Sequence, residues 1–164
     1  SEIADKANAY LGLETPYAGE IKVVHYLEML RDCVGFDAIR EKVTNPLTGK
    51  KIAAYYGCLL LRPSGVMQFD NPENPTIIED FIRAIGAEPV LYPYRNECCG
   101  AYTTLEHKEA AVKQSQKIME SAAEMGAEMV TTACPLCLYN LKNSGSELPV
   151  VYFTQLLAQA LGVA

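Results

Sequence analysis

From residue 51 onward, short β-type segments alternate with helical segments four times. The predicted strands lie at residues 51–57, 89–92, 128–132 and 149–153, and a helix-forming segment follows each of them. Strands joined through helices pair in parallel by right-handed crossovers, with helices on both faces of the sheet. We therefore predict an α/β fold, a three-layer sandwich with a roughly four-stranded parallel sheet, preceded by an N-terminal helical segment.

Helix and turn signals divide the chain near residue 50. Apolar residues recur at helical spacing early in the chain, at Ile21, Val24, Leu27 and Leu30. Gly35 follows them as a stop signal, and the residues at 45–49, Asn-Pro-Leu-Thr-Gly, predict a turn. We expect a helical linker segment over residues 1–50 and a separate α/β domain over residues 51–164.

Two later helices carry specific start signals. Thr103 and Glu106 are spaced as a capping box, which predicts a long helix that continues through Met125 and ends at Gly126. Pro135 suits the first position of a further helix.

Composition and charge exclude several classes of protein. An apolar share of 49% in 164 residues is enough to bury a core without disulfide staples. The net charge is −6 and the basic residues are scattered, so we expect no nucleic-acid partner. No apolar stretch approaches the roughly 18 residues of a membrane span, and the N-terminus lacks the pattern of a secretory signal. These features favour a cytoplasmic protein.

Five of the six cysteines form one array, made of Cys58, Cys98, Cys99, Cys134 and Cys137. The first four each follow a predicted strand, and the fifth lies one helical turn further on. Because ligands collect beyond the carboxyl ends of parallel strands, we expect these thiols to meet at one edge of the sheet. Thiolates are soft ligands that hold zinc or iron–sulfur clusters, so the array predicts a metal site.

Other uses of the cysteines are weaker. Adjacent cysteines rarely bond to each other, and the cysteine content is well below the roughly 8–10% of disulfide scaffolds. A dithiol redox motif at Cys134 and Cys137 leaves the other three thiols unexplained. Four thiolates satisfy tetrahedral zinc, whereas five suit a larger cluster or a four-ligand site with one spare nucleophile, and counting does not choose between them.

A few residues near the array have ordinary explanations. His25 and His107 could donate protons, but a histidine on a predicted helix more often lies at the surface or has a bonded partner. Cys33 lies outside the array, and we expect it to be a small buried apolar residue. Tyrosines also surround the cysteine loops, at Tyr55, Tyr56, Tyr92, Tyr94 and Tyr102. Their rings could shield a cluster from water or belong to ordinary strand and loop packing, which we expect for Tyr55, while both explanations stay open for Tyr102.

The order and spacing of the five cysteines resemble those of the cysteine-rich "CCG" domain, and the closest overall likeness is to the C-terminal half of the heterodisulfide reductase B-type subunit. Flanking sequences agree over about residues 51–160. They include Gly57-Cys58 followed by Leu61-Arg62-Pro63, then Asn74-Pro75, Ile85-Gly86-Ala87, Glu97-Cys98-Cys99-Gly100, and Cys134-Pro135-Leu136-Cys137 with Asn140-Leu141.

This resemblance implies a CCG domain over residues 51–164 in which all five cysteines bind a non-cubane [4Fe–4S] cluster. Cys98 and Cys99 would lie at the catalytic position, where a small-molecule disulfide of the coenzyme M–coenzyme B type is reduced. The implied partners are a ferredoxin-like iron–sulfur subunit and a flavin subunit. Since the longer polypeptide of that family carries two such domains, the resemblance also implies that this chain holds half of the active site.

Two alternatives stay open at the level of sequence. The first is a zinc-binding structural or interaction module, and zinc could also replace a lost cluster in an isolated domain purified in air. The second is an electron-transfer CCG domain of an oxidoreductase that acts on lactate, glycolate or glycerol 3-phosphate.

Overall fold

The computed structural model describes residues 2–163 and contains a single sheet of four parallel strands. The strands are β1 (Lys51–Tyr55), β2 (Glu88–Val90), β3 (Met129–Thr132) and β4 (Val150–Tyr152), in the spatial order β2-β1-β3-β4. In register, Ile52 lies opposite Pro89 on one side and Met129 on the other. The predicted parallel α/β sheet is confirmed.

In the described part of the chain, eight α-helices surround or precede this sheet: α1 (Glu2–Leu11), α2 (Tyr26–Met29), α3 (Phe36–Lys42), α4 (Ser64–Met67), α5 (Ile77–Ala84), α6 (Lys108–Glu124), α7 (Pro135–Lys142) and α8 (Phe153–Leu161). A π-helical turn, Leu30–Val34, separates α2 from α3, and a 3₁₀ turn, Ala101–Thr103, precedes α6. Within residues 2–163 none of the helices is both long enough and apolar enough to cross a bilayer.

The alternating side chains of β1 divide the interior into two cores. Ile52 and Ala54 pack with the apolar faces of α2, α3, α5 and α8, whereas Ala53 and Tyr55 pack with α6 and α7 on the other face. This alternation is the period-two pattern of a strand covered on both faces. The predicted three-layer arrangement is therefore confirmed.

The direction of winding changes between β1 and β3, which are neighbours in the sheet but not in the sequence. The chain leaves β1 through α5 on one face, and it reaches β3 through α6 on the other face. In open parallel sheets such a change leaves a crevice at the carboxyl ends of the two strands. Cys58 follows one of these strands and Cys134 follows the other.

The predicted helical segment over the first fifty residues is only partly confirmed. Residues 2–11 are helical, and Gly35 ends the π-helical turn with a φ of 85°, as predicted. Ile21 and Val24, however, lie in a non-helical segment, because the helix begins only at Tyr26. His25 has an extended backbone and caps the helix with its ring, so the helical spacing before it does not correspond to a helix.

The predicted capping box at Thr103 and Glu106 is wrong. The Thr103 hydroxyl donates to the carbonyl of Gly100 (2.9 Å) beside the 3₁₀ turn, and α6 begins five residues later at Lys108. Thr103 lies inside the 3₁₀ turn and His107 stands at the N-cap position of α6, so the threonine is not placed to cap that helix. The end of α6 before Gly126 and the position of Pro135 at the start of α7 are confirmed.

Candidate metal centre

The structure brings the five cysteines of the array to the carboxyl edge of the sheet. Cys58 follows β1, Cys98 and Cys99 follow β2, and Cys134 and Cys137 lie at the start of α7. The Sγ atoms of Cys58 and Cys98 are 3.6 Å apart, and those of Cys99 and Cys137 are 3.7 Å apart. All five thiols therefore lie at this edge, and their role as ligands stays a prediction.

All six cysteines are free thiols, so no disulfide links the loops. Among residues 2–163, no three histidine, cysteine, aspartate or glutamate side chains are gathered as the ligands of one metal ion. The measured sulfur contacts instead join two thiols at a time, Cys58 with Cys98 and Cys99 with Cys137, and Cys137 is also hydrogen-bonded to Cys134. Two thiolates that bind one tetrahedral zinc at about 2.3 Å lie about 3.8 Å apart, so each pair already has the spacing of two sulfur ligands.

Cys137 holds a proton between two more acidic thiols. Hydrogen bonding to Cys137, together with the backbone N–H groups of Cys137 and Leu136, lowers the pKa of Cys134 to about 6. The Cys137 thiol and the N–H of Ala101 similarly lower the pKa of Cys99 to about 7. The same contacts, with burial, raise the pKa of Cys137 far above its usual range. The inner half of the array therefore carries thiolate charge at neutral pH.

The outer pair, Cys58 and Cys98, is partly exposed. Burial and the contact with Cys98 raise the pKa of Cys58 to about 11. The backbone N–H of Gly100 donates to the Cys98 sulfur at 3.3 Å, and such N–H···S bonds stabilise thiolate and cluster sulfur. The array thus has a buried, acidic inner part and a solvent-facing outer part.

Asn140, one turn after Cys137, fixes the buried Cys99. Its side-chain amide donates to the carbonyl of Cys99 (3.1 Å) and approaches the Cys99 sulfur (3.7 Å). A further contact of 3.1 Å joins it to the hydroxyl of Thr104. Asparagine is rarely fully buried. The position of this polar residue on the inner face of α7 was therefore the one sequence signal for its contact with Cys99.

Two features of the surrounding protein fit a sulfur-containing group held by these thiols. A Cβ atom at Gly57, where φ is +66°, would lie 2.8 Å from the Cys137 sulfur, so only glycine fits between β1 and the array. The hydroxyl of Tyr92 is buried and has no hydrogen-bond partner among the described residues, within the same core cluster as Cys99 and Cys137. A sulfide or thiolate of a bound cluster is an acceptor that could satisfy it.

A buried polar network supports the loops that carry Cys58 and Cys98. The Tyr56 hydroxyl and the Arg95 guanidinium both donate to the carboxylate of Glu79. Arg95 also donates to the carbonyl of Pro75 (2.7 Å), and its own carbonyl accepts from the Tyr56 N–H (2.8 Å). This network could not be foreseen from the sequence, because no local pattern indicates that the side chains of Glu79 and Arg95 will be buried.

The remaining predicted residues fall in different places. Cys33 is exposed, so the expectation that it is buried is wrong: it lies on the solvent side of the π-helical turn. His107 is exposed at the start of α6. His25 contacts the carbonyl of Ala133, next to Cys134 (3.3 Å). Tyr55 is buried and donates to the carbonyl of Glu97 (2.7 Å), as the packing explanation predicted.

The chain is similar to several known proteins that carry cysteine-rich domains or share its fold. The model of a family described as "Cysteine-rich domain" (CCG) matches residues 52–142. The chain is 32% identical to the "8-methylmenaquinol:fumarate reductase membrane anchor subunit" of Wolinella succinogenes, over 97% of this chain and 59% of that protein. It is 27% identical to the B-type subunit of the "Ferredoxin:CoB-CoM heterodisulfide reductase" of Methanosarcina mazei, over 93% of this chain and 54% of that protein.

A protein of Archaeoglobus profundus, named for its likeness to the B-type subunit of heterodisulfide reductase, is 28% identical over 98% of this chain and 59% of its own length. The chain therefore spans between about half and three-fifths of these curated relatives. Among solved structures, a hypothetical protein from Helicobacter pylori superposes with a TM-score of 0.67 at 14% identity, over 98% of this chain and 30% of that one. This last likeness concerns the fold alone.

Proposed function

This chain belongs to the CCG cysteine-rich domain family, and on that basis we propose that it is an iron–sulfur oxidoreductase domain that reduces a disulfide at the cysteine array. The observation that carries the proposal is the pairing of the thiols, Cys58 with Cys98 and Cys99 with Cys137, at the crevice of a parallel sheet. Five soft donors at one sheet edge, two of them acidic, are the donor set that a cluster requires.

Cys58, Cys98, Cys99, Cys134 and Cys137 would hold the cluster, which we propose to be of the non-cubane [4Fe–4S] type. When bound, such a cluster supplies single electrons to a sulfur substrate. The low pKa values of Cys134 and Cys99 favour the thiolate form that ligation needs.

The proposed reaction converts one disulfide, two electrons and two protons into two thiols. Cys98 and Cys58 are the partly exposed members of the array, so a substrate disulfide would approach from their side, with Cys98 and Cys99 at the catalytic position. Electrons would come from a ferredoxin-like iron–sulfur subunit, which a flavin subunit would supply in turn. The Methanosarcina mazei relative is named as one subunit of a reductase whose name includes ferredoxin, which supports partner subunits in general.

A second candidate is electron transfer without disulfide chemistry. One specific observation favours it: the relative from Wolinella succinogenes, at 32% identity, is named as a subunit of a fumarate reductase. In that case the cysteine array would hold a cluster that relays electrons to another subunit, and no sulfur substrate would bind.

The experiment that tests the proposal starts from protein purified without oxygen and containing iron and sulfide. The oxidised protein is mixed with coenzyme M and its paramagnetic resonance spectrum is recorded, and turnover of the coenzyme M–coenzyme B disulfide is assayed with a reduced viologen. A new signal with thiol, together with turnover, supports disulfide reduction. A redox-active cluster that responds to neither reagent supports the electron-transfer candidate.

A further inference from the structure

We infer that His25 and Tyr152 are positioning residues for Cys134, because they hold the carbonyl oxygen of Ala133 from two sides. Neither residue lies within the matched family segment, residues 52–142. The significance of this inference for catalysis rests on the proposed function, since Cys134 matters there as a cluster ligand, whereas the positioning itself is a property of the chain alone.

Every polar group of the peptide bond between Ala133 and Cys134 has a partner. The carbonyl accepts from the Tyr152 hydroxyl at 2.8 Å and contacts the His25 Nε2 atom at 3.3 Å. The N–H of Cys134 donates to the Thr132 hydroxyl at 3.3 Å. With both sides of the peptide held, the direction in which the Cys134 side chain leaves the backbone is fixed at the start of α7.

The imidazole of His25 has only one orientation that suits these contacts. Its Nδ1 atom accepts from the backbone N–H of Leu27 at 3.1 Å, so the proton of the neutral ring lies on Nε2 and is donated to Ala133. The backbone N–H of His25 donates to the Glu28 carboxylate at 2.9 Å, and the ring itself packs edge-on against Phe69 with centroids 5.2 Å apart. These contacts stop the ring from turning away.

Tyr152 is held in a similar way at the end of β4. Its N–H donates to the Gln155 side chain at 2.9 Å, and its ring packs against Phe153 with centroids 5.2 Å apart. Partial burial and, after it, the nearby thiolate charge of Cys134 raise the pKa of Tyr152, so its hydroxyl keeps the proton that it donates. The carbonyl therefore has two donors that come from opposite ends of the chain.

Removal of both donors leaves a buried carbonyl unsatisfied beside the array, and the peptide is then expected to rotate toward solvent. Cys134 is 8% exposed in the present arrangement. Rotation would separate its sulfur from Cys137 and open it to reagents. Each donor contributes to this protection, so the effect should be larger in the double variant than in either single one.

The test uses the reduced, metal-free full chain and measures iodoacetamide labelling of each cysteine by peptide mass spectrometry. In the variant with both His25→Phe and Tyr152→Phe, we expect labelling of Cys134 to accelerate about tenfold relative to Cys58, and less in each single variant. His25→Gln keeps an acceptor and a donor at this position, so Cys134 should be labelled as slowly in this variant as in the wild type. Tyr26→Phe is the matched control, because exposed Tyr26 packs on the same Phe153 ring.

Unchanged Cys134 labelling in a folded double variant would overturn the inference, and so would equal acceleration at Cys58 and Cys134, which means general loosening. If the double variant does not fold, the single variant Tyr152→Phe takes its place in the test, because this substitution removes only one oxygen atom. In iron-loaded protein the double variant should also lose iron faster than the wild type. A wild type that binds no iron would defeat the proposed function while leaving the labelling test intact.

Discussion

The guanidinium of Arg95 donates to the carboxylate of Glu79 inside the domain, where the two side chains are only 11% and 2% exposed. This ion pair joins the loop before Cys98 to helix α5. Burial raises the pKa of Glu79 even though Arg95 and Tyr56 both stabilise its charge. The pair therefore depends on both partners, since either charge alone would be buried without compensation.

We predict that Glu79→Gln lowers the free energy of unfolding by about 3–5 kcal/mol, because the Arg95 charge then has no counterion in the interior. Urea unfolding followed by circular dichroism measures this loss. The control is Asp80→Asn in the next residue, whose pair with Arg83 (2.8 Å) is half-exposed. It should cost less than about 1 kcal/mol. Similar losses of unfolding free energy in the two variants would show that the buried pair stabilises the fold no more than the half-exposed pair does.

Gly57→Ala tests whether the space beside Cys137 is needed. The new Cβ would lie 2.8 Å from the Cys137 sulfur, so we predict that iron and sulfide content falls to a small fraction of the wild-type value. Gly145→Ala is the matched control, since its φ is also positive (82°) but a Cβ there meets nothing within 4 Å. Both variants carry a backbone cost of about 1–2 kcal/mol. Equal iron content in the two variants would contradict the prediction.

The thiols of the metal-free chain should ionise in a defined order. Because Cys134 and Cys99 have pKa values lowered to about 6 and about 7, their thiolates form as the pH rises through that range, whereas Cys58 stays protonated until about 11. The ultraviolet absorbance of thiolate measures each step during a pH titration.

Cys137→Ala removes the main hydrogen bond to both acidic thiols, so we predict that their pKa values rise toward the ordinary value of about 8.5. The variant should then show little thiolate absorbance at pH 7, compared with roughly one to two thiolates per wild-type chain. Cys33→Ala changes an exposed thiol outside the array and should leave the low-pH steps in place. Persistence of those steps in Cys137→Ala would show that another group acidifies the thiols.

The parallel sheet and the meeting of the cysteines could be predicted from the sequence for one physical reason. Parallel strands all end at the same edge, so cysteines that follow three different strands converge whatever the loops between them do. Helical spacing was less reliable: Ile21 and Val24 fit a helix that never forms, because His25 caps the chain further on. Helical spacing does not reveal where a cap will interrupt it.

Long-range partners could not be predicted at all. Glu79 and Arg95 are sixteen residues apart, and His25 and Ala133 are 108 residues apart, and no local pattern connects either pair. Which thiol contacts which is also a tertiary property, because it depends on the register of the loops after β1 and β2. Thr103 shows the same limit at short range, since its hydroxyl bonds Gly100 instead of capping α6.

Metal and acid-labile sulfide analysis of protein purified without oxygen tests the central claim most directly, applied to the wild type and to Cys99→Ala, Cys134→Ala and Cys33→Ala. We predict several irons with matching sulfide in the wild type and Cys33→Ala. Cys99→Ala and Cys134→Ala should lose both elements while circular dichroism shows an intact α/β fold. About one zinc per wild-type chain, without sulfide or colour, would contradict the account and identify a structural zinc module instead.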